Sequence, residues 1–222
     1  MARRIPNLSL VGPPGSGKGS YGRLIARDLG TPLITVSTVL KEAGVDVSSG
    51  GLIQDEIVAD ILLEKLPAPP YLLDGYPRTI EQVKIMDKSW PEKKKVGLAV
   101  SLQVARAVCR AKLLGRRLCP LCGSNWNVAD VKIGKFMLPP HLPKVGDPCS
   151  CRQDESLWTR RPDDVPDIVD NRLETFYSTT KPILETFAER NALFEFTPYR
   201  GFDDIGRFKE ELQKRLWPSS HL

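Results

Sequence analysis

The sequence predicts an α/β protein: a five-stranded parallel sheet with helices on both faces, interrupted by one small insertion. Three observations carry this. Short apolar runs alternate with stretches of helical periodicity along most of the chain, the pattern of strands joined by crossover helices. A glycine-rich turn, Gly12-Pro-Pro-Gly-Ser-Gly-Lys-Gly-Ser20, separates the first apolar run from the first helical stretch. The segment 115–164 then breaks the alternation, with four of the five cysteines and little helical spacing.

Taken in order, Ile5–Val11 reads as a buried strand that ends at the glycine turn. Lys18–Leu29 reads as a helix, with Tyr21, Leu24, Ile25 and Leu29 at helical spacing and Gly30 as its stop. Leu33–Val36 is a second strand. Leu52–Leu66 is an amphipathic helix with Ile53, Ile57, Ile61 and Leu62 on its apolar side, stopped by Pro67. Tyr71–Leu73 is a third strand, Thr79–Lys88 a helix, Val96–Leu102 a fourth strand and Val104–Leu114 a helix. Beyond the insertion, Val165–Glu189 returns to helix, Leu193–Phe196 is a fifth strand and Ile205–Leu216 a closing helix.

Composition narrows the class. With 222 residues, 41% apolar and 27% charged, the chain can bury the core of one domain and is not a disordered sequence. No apolar run approaches ~18 residues, so a membrane partner is not expected. Residues 1–4 are too few for a targeting peptide before the first strand, so the expected location is the cytoplasm. The net charge of +5 suggests an anionic partner: nucleotide, nucleic acid or an acidic surface. Clustered cysteines in an intracellular chain point to metal before disulfides.

The glycine turn has the context of a P-loop, following a strand and opening a helix. Its glycines, Gly15 and Gly17 among them, let backbone N–H groups curl around phosphate oxygens, and Ser16 lies between them. The helix N-terminus adds partial positive charge, and Lys18 supplies a full one to the β- and γ-phosphates. Gly19 stands where most P-loops have a hydroxyl, which comes one place later at Ser20. That ending resembles adenylate kinases and their nucleoside monophosphate kinase relatives.

A second segment strengthens the resemblance. Asp74-Gly75-Tyr76-Pro77-Arg78-Thr79, with Gln82 four residues after Arg78, is similar to the Asp-Gly-Phe-Pro-Arg segment of adenylate kinases. A carboxylate at a strand's C-terminal end beside a P-loop suits magnesium held through water, and a guanidinium suits bidentate phosphate binding. The resemblance implies that Asp74 lies near magnesium, Arg78 holds the acceptor phosphate, and Gln82 recognises adenine. It extends from Ile5 to Leu216 and implies a P-loop nucleoside triphosphate hydrolase-like three-layer fold. The core would comprise 1–36, 67–114 and 165–222. Residues 37–66 would be a shortened acceptor-nucleotide segment and 115–164 a lid.

The lid begins at Gly115-Arg116-Arg117 and ends at Arg160-Arg161-Pro162-Asp163-Asp164, with Arg172 on the next helix. By position, Arg116, Arg161 and Arg172 match the family's phosphate ligands. Lys112 falls where the family stacks an arginine on the donor adenine. Donor ATP would thus be held by Gly15 through Ser20, Lys112 and Arg116. The acceptor AMP would meet Gly75, Tyr76, Pro77, Arg78, Gln82, Arg161 and Arg172.

Cys119-Pro-Leu-Cys122-Gly123 has the spacing of a zinc knuckle. With Cys151 and Asp154 it gives a ligand set found in some bacterial adenylate kinase lids, a closed structural site for Zn²⁺. Cys149 and His141 are alternative ligands, and a metal-free lid is the competing reading.

Residues 35–41 depart from the family. Its Ser-Thr-Gly-Asp-Leu-Leu-Arg stretch aligns with Val36 on the Thr and Lys41 on the Arg. Valine offers no hydrogen bond and lysine lacks the planar fork. Only ten steps separate Lys41 from Gly51-Leu52-Ile53, the next acceptor-side match, roughly half the family's span.

The resemblance implies a monomeric, Mg²⁺-dependent nucleoside monophosphate kinase, most simply one that interconverts ATP plus AMP with two ADP. The alternatives are a nucleotide-binding relative with weak turnover, or a kinase with GTP as donor. Nucleic acid is disfavoured as a partner because few aromatics interleave with the arginines.

Overall fold

A computed structural model describes residues 5–45, 53–144 and 155–218. Gly51, Leu52, Cys149, Cys151 and Asp154 lie outside the described residues.

Strand β1 (Leu8–Val11) is buried along its length, as a continuous apolar run in a doubly covered sheet must be. Helix α1 (Lys18–Leu29) spans the predicted interval, and Gly30 closes it at φ 61°, in the left-handed region that glycine adopts freely. Strand β2 (Leu33–Thr35) runs straight into α2 (Val36–Glu42), so Val36 opens a helix rather than ending the strand. Helix α3 (Asp55–Lys65) buries Val58, Ala59 and Leu62, whereas Ile57 is exposed. Its apolar side is therefore rotated from the one the isoleucine spacing suggests.

Strand β3 (Leu72–Asp74), helix α4 (Ile80–Ser89), strand β4 (Leu98–Leu102) and helix α5 (Arg106–Leu114) follow near their predicted bounds. Among the described residues the insertion holds four short strands: β5 (Arg116–Leu118), β6 (Asn125–Asn127), β7 (Val131–Ile133) and β8 (Phe136–Leu138). After it come α6 (Pro166–Thr175), α7 (Ile183–Glu189), β9 (Leu193–Phe196) and α8 (Ile205–Leu216). The single helix expected over 165–189 is thus two, joined by a π-turn at Phe176–Thr180. Pro182 has no N–H and cannot continue the ladder, so the chain restarts its helix there.

The main sheet is parallel, in the order β2-β3-β1-β4-β9. Side chains alternate across it. Leu8, Leu10, Leu72, Leu98, Val100, Leu102, Phe194 and Phe196 pack with Tyr21 and Ile25 of α1 and Phe208 and Leu212 of α8. Val11, Leu73 and Ala99 face the opposite layer, with residues of α2, α3, α4 and α7.

Within the insertion, β5 pairs antiparallel with β6, and β7 with β8. The second hairpin is not free-standing. Its Val131, Phe136 and Leu138 share a core cluster with Val108, Cys109 and Leu113 of α5 and Val169 and Leu173 of α6. Trp126 of β6 clusters instead with Cys119 and Trp158, inside the insertion.

Candidate active site

A parallel sheet brings all its C-terminal strand ends to one edge, and the loops there can converge on a ligand. At that edge β1 leads through residues 12–17 into α1. Gly15 holds φ 87°, and a Cβ on it would lie 2.6 Å from the Cys109 carbonyl oxygen, so the loop lies flat on α5 only with glycine there. Gly17 caps α1 at φ 94°. Ser16 Oγ is buried with no hydrogen-bond partner among the described residues. Gly19 and Ser20 form the first turn of α1, where the Ser20 N–H donates to the Gly17 carbonyl at 2.9 Å.

Lys18 folds back into this loop. Its Nζ donates to the carbonyls of Gly12 and, at 3.0 Å, of Pro13. Burial pulls its pKa down from 10.5 to about 8, against the opposing pull of the Asp74 carboxylate. Asp74 ends β3 in register with Leu10 of β1, which sets it beside the loop.

From Asp74 the chain turns at Gly75, φ 101°, where the Arg78 guanidinium packs so closely that a Cβ would meet its Nη2 at 2.7 Å. Tyr76 and Pro77 follow through a cis peptide bond. The Tyr76 side chain is fully buried, stacked on Trp90 with ring centroids 5.2 Å apart. Its carbonyl accepts from Ser9 Oγ at 2.6 Å, tying this turn to β1. Burial lowers the Arg78 pKa, with Asp74 opposing and Arg172 adding to the shift. The Gln82 side chain is engaged at both ends: Oε1 accepts from the Arg78 N–H at 2.7 Å, and Nε2 donates to Asp55 Oδ1 at 2.7 Å.

The three further arginines reach the same region from different elements. Arg116, at the start of β5, donates from Nε and Nη2 to the fully buried Asp164 at 2.7 and 2.5 Å. Arg172 on α6 donates to Asp163 Oδ2 at 2.6 Å and lies 3.7 Å from Asp164. Arg161 donates to Asn125 Oδ1 at 2.8 Å. Burial lowers the Arg161 pKa, and neighbouring Arg116 and Arg172 lower it further. Arg78 and Arg172 likewise lower that of Lys18. Lys18, Arg78 and Arg172 thus act on one another's charge beside Asp74, and Arg161, Arg116 and Arg172 do so beside Asp163 and Asp164.

The remaining residues scatter. Lys112 sits in the last turn of α5, and burial lowers its pKa. The Val36 side chain is buried in the main core, leaving only its backbone for a ligand, and Lys41 is exposed at the end of α2. Ile53 packs against the same core. Cys119 is buried and Cys122 exposed on the turn between β5 and β6, where the Gly123 N–H donates to the Cys119 carbonyl at 2.9 Å. Among the described residues no group of three or more metal-ligating side chains is present. Sequence reasoning assigned no role to Asp55, Asn125, Asp163 or Asp164, the partners that orient Gln82 and the arginines. The acidic pair directly after Arg160-Arg161-Pro162 was the one signal available.

A P-loop backed by a carboxylate and flanked by cations, at the C-terminal edge of a parallel sheet, is the setting of a nucleotide-dependent phosphotransferase. Comparison with known proteins narrows the class. The family profile described as adenylate kinase matches residues 10–192. The adenylate kinase of Methanothrix thermoacetophila is 30% identical across 95% of this chain and 98% of its own. The probable adenylate kinase 6, chloroplastic, of Arabidopsis thaliana is 32% identical across 84% of this chain and 67% of its own. A GTP:AMP phosphotransferase of Plasmodium falciparum is 30% identical across 90% and 94%. The chain belongs to the adenylate kinase family and is a nucleoside monophosphate kinase.

Proposed function

We propose that the protein transfers the γ-phosphoryl of MgATP to AMP, reversibly, giving two ADP. The observation that carries this is the convergence of Lys18, Arg78 and Arg172 on the P-loop, a setting that favours a polyanion even with the carboxylates of Asp74, Asp163 and Asp164 among the cations. Gly15, Gly17 and Gly19 would cradle the donor phosphates through backbone N–H groups, with the orphaned Ser16 Oγ and the Ser20 hydroxyl as further donors. Lys18 and Arg116 neutralise the β- and γ-phosphates, and Lys112 lies toward the donor base. Arg78, Arg161 and Arg172 hold the acceptor phosphate in line, with Gly75, Tyr76 and Pro77 supplying backbone beside it and Gln82 meeting the base. Val36, Lys41, Gly51, Leu52 and Ile53 complete the acceptor side.

No side chain is attacked. Catalysis comes from positioning and charge neutralisation. Asp74 offers a hard carboxylate oxygen next to the loop, a chemistry that fits Mg²⁺ held through water. The metal supplies charge neutralisation between donor phosphates.

The segment 115–164 acts as a lid that excludes water during transfer. Its moving part would be β5–β6 and the residues leading to Arg161, which bridge to β5 at Thr159, while the β7–β8 hairpin stays on the core. Cys119 and Cys122 offer half of a tetrahedral zinc site on a tight turn, to be completed by Cys151 and Asp154. Zinc there would be structural. No helix among the described residues is long and apolar enough to cross a membrane. A cytoplasmic monomer is the reading we adopt, against the chloroplastic names of two plant relatives.

A coupled assay over nucleotide pairs tests the reaction. ADP formation from ATP and AMP, abolished by a magnesium chelator, is expected. Turnover with GTP but not ATP would assign the donor of the Plasmodium relative's name instead. No transfer from any pair would leave a nucleotide-binding protein.

A further inference from the structure

Asp55, in the first turn of α3, has both carboxylate oxygens committed. Oδ1 accepts from Gln82 Nε2 at 2.7 Å, and Oδ2 accepts from Thr79 Oγ1 at 2.8 Å. Thr79 Oγ1 in turn accepts from the Gln82 backbone N–H at 2.9 Å. Asp55 therefore grips the start of α4 twice, at its cap and at the Gln82 side chain. Across the amide, Gln82 Oε1 accepts from the Arg78 backbone N–H at 2.7 Å.

These partners permit one amide orientation. A carboxylate only accepts and a backbone N–H only donates. Flipping Gln82 would set its oxygen against the carboxylate and its NH2 against the N–H, losing both bonds. At 6% exposure, Gln82 has little water to replace them. A primary amide has two N–H donors and two lone pairs on oxygen. One of each is taken, so one donor and one acceptor remain, with fixed polarity.

That polarity selects a base. A ring nitrogen acceptor beside an exocyclic amino donor, as in a 6-aminopurine, complements it. A 6-oxopurine presents N1–H and a carbonyl, the reverse pattern, and finds donor facing donor and acceptor facing acceptor. We propose that Asp55 is the positioning residue that sets acceptor specificity, by locking Gln82 in the orientation that accepts 6-amino and rejects 6-oxo nucleoside monophosphates. The proposal rests on the reading of Gln82 as the acceptor-base contact.

AMP and IMP differ at this base edge alone, so they are the probes. Steady-state kinetics with ATP as donor would be compared for the wild type, Asp55→Asn, Asp55→Ala and Gln82→Ala, with the KM for ATP as the check on folding. The wild type should prefer AMP over IMP in kcat/KM by ~10²-fold or more, as a site built to hydrogen-bond its substrate does. Asp55→Asn, whose own amide offers either polarity, should cut that ratio at least roughly tenfold, through KM more than kcat, leaving the Arg78 N–H to resist the flip alone. Gln82→Ala should cut it too.

If Gln82→Ala lowers the ratio and neither Asp55 variant does, the lock is wrong while the Gln82 contact stands. If no variant changes the ratio, the Gln82 reading itself fails. A fall in AMP and IMP activity by the same factor in the Asp55 variants would make Asp55 merely structural and overturn the proposal. A readout independent of variant folding is the side-chain amide of Gln82 in the unmutated protein by nuclear magnetic resonance. At least one of its protons should exchange with solvent far more slowly than in free glutamine, and exchange of both at the free rate would sink the lock.

Discussion

Lys18 keeps its ammonium inside the P-loop, donating to the Gly12 and Pro13 carbonyls, and burial there lowers its pKa to about 8. This sets stability and activity moving in opposite directions with pH. Between pH 8 and 10.5 the folded protein has released a proton that the unfolded chain still holds, so this group's contribution to stability rises with pH across that window. A neutral amine cannot neutralise phosphate, so kcat/KM for MgATP should fall through an apparent pKa near 8 in the free enzyme. A profile flat to pH 9.5 or so would show that Lys18 stays charged or is not needed. Lys18→Ala should lower turnover by ~10²-fold or more, the scale for one removed transition-state donor. Its melting temperature should hold or rise, because the buried charge is gone. Unchanged phosphoryl transfer by the folded variant would reject the assignment of this loop.

Elements differ in how far the sequence exposes them, and packing explains the difference. Helices α1 and α8 and strand β9 were legible to the residue, because each is bounded by a local stop or turn and keeps one period throughout. The break between α6 and α7 was not. Leu173, Phe176, Ile183, Leu184 and Phe187 are all buried, and their spacing carries helical periodicity straight across the π-turn. Strands β7 and β8 have three residues each, too few for alternation to register, and they are held by the α5 and α6 surface they cover and by Tyr199. Among the described residues the β5–β6 hairpin has a smaller apolar anchor, Cys119, Trp126 and Trp158 with Val128 and Leu142 against them, and meets α5 through the Asn127 side chain, which donates to the Lys112 carbonyl at 2.7 Å. A small cluster of this kind calls for a staple, which is where zinc would contribute. The protein purified without chelator should carry about one zinc per chain. Cys119→Ser should release it, and limited proteolysis should then cut faster within 115–164 than in the core. A wild type free of zinc by elemental analysis, with all its thiols titratable, would remove the metal from the account.

At the scale of the whole molecule, the site is assembled from contiguous and distant parts. The P-loop and Asp74-Gly-Tyr-Pro-Arg78 were legible because each is one continuous segment, and adjacency of β1 and β3 in the sheet puts them side by side. The partners that hold the site in shape were not, since Asp55 meets Gln82 across 27 positions and Arg116 meets Asp164 across 48. The same distinction bears on acceptor affinity. In the proposed reaction, donor contacts would come mostly from the continuous P-loop, whereas acceptor contacts would come from α2, α3, α4 and the lid. Val36 spends its side chain in the core at 3% exposure, and Lys41 stands exposed with a point charge where the family has a guanidinium. Each lost hydrogen bond to a charged group is worth ~1.5–3 kcal/mol, or about 10–150-fold in affinity. Arg78, Arg161 and Arg172 still offer the acceptor phosphate charge, so binding should weaken without vanishing. The acceptor Kd is expected to exceed the donor Kd by at least about tenfold. Lys41→Arg should tighten AMP binding with the ATP affinity unchanged. Adding Val36→Thr should bring a further gain only at a cost in melting temperature, because its hydroxyl enters an apolar core. Calorimetry with AMP and a non-hydrolysable ATP analogue measures both constants. AMP binding as tight as the analogue's in the wild type, with no gain from Lys41→Arg, would mean that other residues hold the acceptor and that α2 is not its cradle.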